Sequence, residues 1–349
     1  MYRRFSFVAS RRHGRASLRR MFRVALMSLL CAAAVLPQMS DAAVKKGPAR
    51  KSVQKRVAPK KAPAKKNPAA PRPALAVSQY RKDPYVGALA MDAKTGRVLF
   101  ADGAGAIARP ASVTKLMTAL LVLEDVKAGR YGLDSLVSAG PMALRMEPSI
   151  IGFLDLKTRK PVSWSVDTLL YALMIRSAND AAVALAEHSA GTMEKFVARM
   201  NARAKSLGMD KTVYYNPNGL PPNSAKRYPW KSFNVTTCYD QAKLAREILA
   251  NHPELLKYTS CKTWKMPDGQ TIINHNNVMR MDKWKIVNPD GTEAVDGLKT
   301  GYINAGGSSV VLTGKRKGRR AIVVVLGSAS AQLRDSNARN LMDDALSSL

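Results

Sequence analysis

Pro110-Ala111-Ser112-Val113-Thr114-Lys115-Leu116 is the stretch around which the rest of the chain is organised. It reads as a helix start, with proline just before it and Gly129 as the stop. Val113, Leu116, Met117, Leu120, Leu121 and Leu123 supply the apolar helical pattern between them. Ser112 and Lys115 are three apart, so on a helix they share a face, roughly 5–6 Å between Cβ atoms. A serine hydroxyl needs a base to take its proton, and a lysine serves once burial or a nearby cation lowers its pKa. Ser-x-x-Lys also occurs on solvated helices, so the meaning of the pair depends on what accompanies it further along.

The chain has 349 residues, 46% of them hydrophobic, enough to bury a sizeable core in one large domain or two ordinary ones. Its net charge of +31 is unevenly placed. Residues 1–82 carry 21 Lys and Arg against the single acid Asp41, a net +20, and the rest carries only +11. Arg19, Arg20 and Arg23 precede an apolar run from Val24 to Leu36, and the small residues Ser40, Ala42 and Ala43 follow. This is an export leader over residues 1–42, cleaved after Ala42 or Ala43, with Met21 an alternative start. The run of about 13 residues is short against the roughly 20 of a membrane span, and the competing reading is an uncleaved anchor. Arg11-Arg12 lies too far from the run for a twin-arginine signal. The expected location is the periplasm or cell-wall space, with an N-terminal tether if the leader is retained.

Residues 43–82 form a linker rich in Lys, Ala and Pro; Lys45 to Arg72 contains eleven basic residues and no acid. Such a segment cannot bury a core and reads as extended and disordered. It is either a solvated spacer or an electrostatic tether to anionic wall polymer or a membrane surface. Nucleic acid is excluded as a partner, because no aromatic residues are interleaved for base stacking. Cys31 falls in the leader, leaving Cys238 and Cys261 as a disulfide or as two free thiols. No Cys-x-x-Cys spacing occurs and the four histidines are scattered, so no metal or organic cofactor is expected.

The folded domain is expected over residues 83–349. Tyr85–Met91 and Val98–Ala101 read as strands joined by a turn at Asp92–Gly96, and the helix bearing Ser112 follows. Helices are expected at Val166–Arg176 (capped by Ser165), Asp180–His188, Met193–Leu207 and Gln241–Ala250, the last behind a Thr237/Asp240 capping box. Strands return at Ala294–Tyr302, Ser308–Gly314 and Ala321–Ser328; Lys315–Arg320 turns the last two into a hairpin, and a helix over Gln332–Leu346 closes the chain. Strands at both ends with helices between them predict an α+β fold, one antiparallel sheet interrupted by a helical insertion.

Two more segments carry polar chemistry. Ser177-Ala178-Asn179 is a polar knot between apolar helices, where ordinary capping competes with a role in a cleft. In Asp296-Gly297-Leu298-Lys299-Thr300-Gly301-Tyr302, a cation beside a hydroxyl suits a carboxylate, and Gly301 leaves room for a close approach to the backbone. Ser-x-x-Lys, Ser-x-Asn and Lys-Thr-Gly, in that order and on a helix start, a helix junction and a late strand, resemble the penicillin-recognising serine enzymes. The surrounding words, with Asn216-Pro217-Asn218-Gly219-Leu220, resemble the low-molecular-weight penicillin-binding proteins, the D-alanyl-D-alanine carboxypeptidase family. The resemblance runs from about residue 83 to the end.

What it implies is a β-lactamase-like fold and an acyl-enzyme on Ser112, formed at the D-Ala-D-Ala bond of peptidoglycan stem peptides. Lys115 removes the proton, Ser177 relays it to the leaving D-alanine, and Asn179 fixes Lys115 and the substrate amide. Lys299 and Thr300, with Gly301 and Tyr302 beside them, hold the terminal carboxylate, and the N–H groups of Ser112 and Tyr302 form the oxyanion hole. β-Lactams are the expected inhibitors. Many relatives carry a further β-rich domain and an amphipathic anchor, whereas 48 residues follow Gly301 here, so any tether is expected at the N-terminus. A class A β-lactamase is disfavoured, because no Glu-x-x-Leu-Asn segment lies between Ser177 and Lys299. A D,D-endopeptidase that cuts cross-links shares the motifs and remains the alternative; an inactive wall-binding module fits less well, since every catalytic residue is retained.

Overall fold

A computed structural model of the chain describes residues 85–155, 157–222 and 230–349. The leader and the basic linker expected over 1–42 and 43–82 lie outside the described residues. Strands β1 (Gly87–Asp92) and β2 (Val98–Asp102) open the domain. A 3₁₀ turn, Ala111–Thr114, leads into α1 (Lys115–Lys127). A short ribbon of β3 (Leu136–Val137) and β4 (Trp164–Ser165) precedes α2 (Val166–Tyr171). Then come α3 (Asn179–Ala190), α4 (Met193–Ser206), α5 (Cys238–Asn251) and α6 (Leu256–Thr259). A small hairpin of β5 (Thr263–Lys265) and β6 (Thr271–Ile273) and the short α7 (Asn277–Arg280) lead to β7 (Val295–Ile303), β8 (Gly307–Arg316) and β9 (Arg319–Ser328); α8 (Ala331–Ser348) ends the chain.

Five strands form one antiparallel sheet in the order β2-β1-β9-β8-β7. The N-terminal hairpin thus pairs with the C-terminal one, and everything between is an insertion, as the α+β reading expects. One face of the sheet, including Leu89, Ile322, Val324 and Leu298, packs on the helical lobe. The other, including Ala90, Val323, Val325 and Leu312, packs on Leu341, Met342 and Ala345 of α8. With both faces covered, β9 reads as an unbroken apolar run rather than an alternation. Helix α1 is buried on nearly every side, so the element that begins at Lys115, directly after the turn bearing Ser112, threads the centre of the helical lobe.

Local chemistry explains the boundaries. The hydroxyls of Ser165, Thr192, Thr237 and Ser330 accept N–H groups at the starts of α2, α4, α5 and α8. Thr237 supplies half of the expected capping box; the Asp240 carboxylate turns instead to Lys211 N–H at 3.1 Å and Thr212 Oγ1 at 2.8 Å. The last hairpin is tighter than the six-residue turn expected. Lys315 pairs with Arg320 and Arg316 with Arg319, leaving Lys317 and Gly318 at φ 48° and 80° as a two-residue turn. The helix expected over Val166–Arg176 ends at Tyr171 and widens into a π-helical turn over Ala172–Arg176. The β3–β4 ribbon and β5–β6 hairpin fall where the sequence pattern reads as helix and loop. Cys238 and Cys261 are free thiols, Cys238 buried. No helix among the described residues is long and apolar enough to cross a membrane.

Candidate active site

Three elements distant in sequence meet at the N-terminus of α1. Ser112 sits half-buried on the 3₁₀ turn, just after Ala111, whose φ of 49° is a costly conformation for a residue with a side chain. The turn is held from two sides by glycines. A Cβ placed on Gly301 of β7 would stand 2.6 Å from Pro110 O and 3.0 Å from Ser112 N. One on Gly219, at φ 85°, would stand 3.0 Å from Ser112 N. The close approach inferred at Gly301 is therefore that of the serine's own backbone.

Lys115 opens α1 with no accessible surface. Its Nζ lies 2.9 Å from Ser112 Oγ, 2.7 Å from Asn179 Oδ1 and 2.9 Å from the carbonyl oxygen of Asn218. Burial first, and the charge of Lys299 second, hold its pKa well below the lysine range; Asp180 opposes them. A neutral amine has two N–H donors and one lone pair. Asn179 Oδ1 and Asn218 O accept only, so in that neutral form they would take the two hydrogens and leave the lone pair for the Ser112 hydroxyl.

Ser177 and Asn179 straddle the junction between the π-helical turn and α3. Ser177 is buried in a left-handed conformation, φ 60°. Asn179 Nδ2 donates to Pro148 O at 2.5 Å, and the Asn179 N–H donates to Ser149 O at 2.7 Å. The Asp180 carboxylate, raised in pKa by burial, accepts from the N–H groups of Gly152 at 2.8 Å and Ile151 at 3.1 Å. The Asp180 carboxylate is thus occupied with the backbone at Ile151 and Gly152, and the amine beside Ser112 Oγ is that of Lys115.

Lys299 and Thr300 lie buried on β7, and Lys299 Nζ donates to Thr300 O at 3.0 Å. Burial, then the charge of Arg334, brings Lys299 down to about 7. Arg334 itself holds Asp335 Oδ1 at 2.6 and 2.8 Å. His275, before α7, is pushed down to about 4 by burial and by Lys299, Arg176, Arg280 and Lys115. Tyr302 is 61% exposed, its hydroxyl 2.7 Å from Asn304 Oδ1. Basic groups therefore crowd one another around Lys115, and burial with mutual repulsion lowers the pKa values of Lys115, Lys299 and His275.

Hydrogen bonds thus bring Ser112, Lys115 and Asn179 together, the close approach of Gly301 to Ser112 seats β7 against them, and Lys299 acts on Lys115 through its charge. Sequence reasoning gives Asn218, Gly219, Asp180, His275 and Arg334 no role. The Asn-Pro and Asn-Gly pairs of residues 216–219 do signal a tight turn, but a backbone carbonyl aimed at a lysine has no signature in side chains.

Residues 84–330 match the family described as D-alanyl-D-alanine carboxypeptidase. The chain is similar to D-alanyl-D-alanine carboxypeptidase DacD of Salmonella typhimurium, 33% identical over 255 residues, which are 72% of this chain and 60% of that protein. It is 30% identical to the D-alanyl-D-alanine endopeptidase of Escherichia coli over 64% of this chain and 65% of that one. Among solved structures, ampicillin-bound penicillin-binding protein D2 of Listeria monocytogenes matches with a TM-score of 0.63 at 29% identity, covering 74% of this chain and 96% of that one. The chain spans about three-fifths of the length of the curated carboxypeptidases it matches.

Proposed function

The chain belongs to the D-alanyl-D-alanine carboxypeptidase family of peptidases, and from that premise we propose that it trims the terminal D-alanine from peptidoglycan stem peptides through an acyl-enzyme on Ser112. The observation that carries the reading is the buried Lys115 Nζ, 2.9 Å from Ser112 Oγ with its other two contacts at acceptors. Lys115 takes the hydroxyl proton as Ser112 Oγ bonds to the carbonyl carbon of the penultimate D-alanine. The oxyanion forms against the N–H groups of Ser112 and Tyr302, donors worth about 2.7–4 kcal/mol each in acyl-transfer sites. The tetrahedral species collapses with cleavage of the C–N bond, and Ser177 passes the proton from Lys115 to the departing amine. Lys299 and Thr300 hold the carboxylate of the leaving residue. Water then attacks the ester, Lys115 takes its proton, and Ser112 is released with that proton returned.

Asp180 accepts from the N–H groups of Ile151 and Gly152, and no carboxylate hydrogen-bonds to Ser112 or Lys115 among the described residues. This supports slow loss of a penicilloyl group rather than β-lactamase turnover. The endopeptidase relative supports a second reading, hydrolysis of the D,D-cross-link by the same groups. The test is incubation of purified protein with pentapeptide and with cross-linked muropeptides. Free D-alanine from the former supports the first reading, loss of dimers without D-alanine supports the second, and neither product rejects both.

A further inference from the structure

Behind the catalytic lysine lies a buried amide that the proposed chemistry does not use. Asn234 lies in the segment before α5, 3% exposed. Its Oδ1 accepts the N–H groups of Tyr215 at 2.7 Å and Asn216 at 3.2 Å. Its Nδ2 donates to Asn216 O and to Thr114 Oγ1, both at 3.0 Å. Thr114 immediately precedes Lys115. One side chain therefore ties residues 215–216 to the turn that carries the nucleophile. Asn216 extends the tie, its Oδ1 accepting from Gly219 N–H at 2.6 Å and Asn218 N–H at 3.3 Å. Pro217 O accepts from Thr118 Oγ1 of α1 at 2.6 Å. The result is a fixed Asn218 carbonyl facing Lys115 Nζ.

We propose that Asn234 is a positioning residue for acylation: it holds the 215–219 loop against α1 so that the Asn218 carbonyl takes one hydrogen of Lys115 and leaves its lone pair on Ser112. This rests on the reading of Ser112 and Lys115 as nucleophile and base. Without that acceptor, an N–H of Lys115 turns to the serine and the hydroxyl is no longer activated. The lost acceptor also favours the neutral amine, because a hydrogen bond to the ammonium form stabilises charge. The groups acting on Lys115 from the packed elements, Lys299 of β7 and Asp180 of α3, stay in place, as does His275, whose own titration senses Lys115.

The experiment measures the rate of acylation by a fluorescent penicillin against pH, with thermal unfolding in parallel, for the wild type, Asn234→Ala, Thr114→Val and Thr114→Ser. Asn234→Ala is expected to acylate about 100-fold more slowly while still labelling to completion, with its acid limb moved to lower pH. Thr114→Val, which deletes only the acceptor at the far end of the tie, is expected to lose about tenfold in the same direction, and Thr114→Ser, which keeps the hydroxyl, to match the wild type. A folded Asn234→Ala with a rate within threefold of wild type and an unmoved acid limb overturns the proposal. If Asn234→Ala does not fold, equal rates and profiles for Thr114→Val and Thr114→Ser overturn it. A wild type that penicillin does not label overturns the underlying reading; a labelled wild type with insensitive variants overturns the role of Asn234 alone.

Discussion

The proposed mechanism asks two things of Lys115 that conflict in water: an amine basic enough to take a proton, and one that is uncharged beforehand. Burial settles the conflict, since the charged form forfeits its hydration, and Lys299 adds like-charge repulsion. Replacing Lys115 by alanine is expected to leave the far-ultraviolet circular dichroism of the native fold and reduce penicillin labelling by at least about 10³-fold. Labelling at the native rate contradicts the assignment. The same charges set the pH dependence of kcat/KM, which reports the free enzyme. On the acid side, activity is expected to fall as Lys115, whose pKa burial and Lys299 depress, takes up a proton. On the alkaline side it is expected to fall as pH rises through about 7, where Lys299 loses the charge proposed to receive the carboxylate. Lys299→Arg keeps its charge, so it is expected to remove the alkaline limb while leaving the acid limb; a limb that stays near pH 7 assigns it to another group.

At the scale of elements, the site depends on how closely β7 and the 215–219 loop approach the 3₁₀ turn. Gly301→Ala puts a methyl 2.6 Å from Pro110 O and 3.0 Å from Ser112 N, so strand and turn must separate. The expected result is a loss of about 100-fold in acylation with about 1–3 kcal/mol of stability by thermal unfolding; unchanged labelling contradicts the clamp. The cluster of Ser112, Lys115 and Asn179 was legible in the sequence by residue type and spacing, and so was Lys299, whose charge acts on Lys115. Gly301 was legible as a point of close approach, though not what approaches it. Backbone contributions were hidden: Ala111 at positive φ, the Asn218 carbonyl, and the Pro148 and Ser149 carbonyls that engage Asn179. Any residue supplies a carbonyl, so sequence does not mark it. The β3–β4 and β5–β6 pairs escaped for a related reason, being two or three residues per strand, too short for a period to show.

Across the described residues, the sheet joins the hairpin Gly87–Asp102 to the strands of Val295–Ser328, and the insertion between them carries Ser112, Lys115 and the asparagines around them, while the strand bearing Lys-Thr-Gly forms an edge. That plan was legible because strands cluster at the ends of the domain and helices between them, whereas the order β2-β1-β9-β8-β7 is set by burial of both sheet faces, which periodicity does not reveal. The charge of residues 1–82 predicts that the full chain binds wall sacculi more weakly as salt rises, and that a chain lacking them releases D-alanine from soluble pentapeptide at the native rate. Salt-independent binding contradicts the electrostatic tether and favours a spacer. The central claim, one serine activated by a buried neutral lysine, is tested most directly by incubating the protein with penicillin and mapping the adduct by mass spectrometry. The account predicts a single penicilloyl group on the peptide containing Ser112, absent from Lys115→Ala and lost only slowly on standing. An adduct on another residue, or none with intact protein, contradicts it.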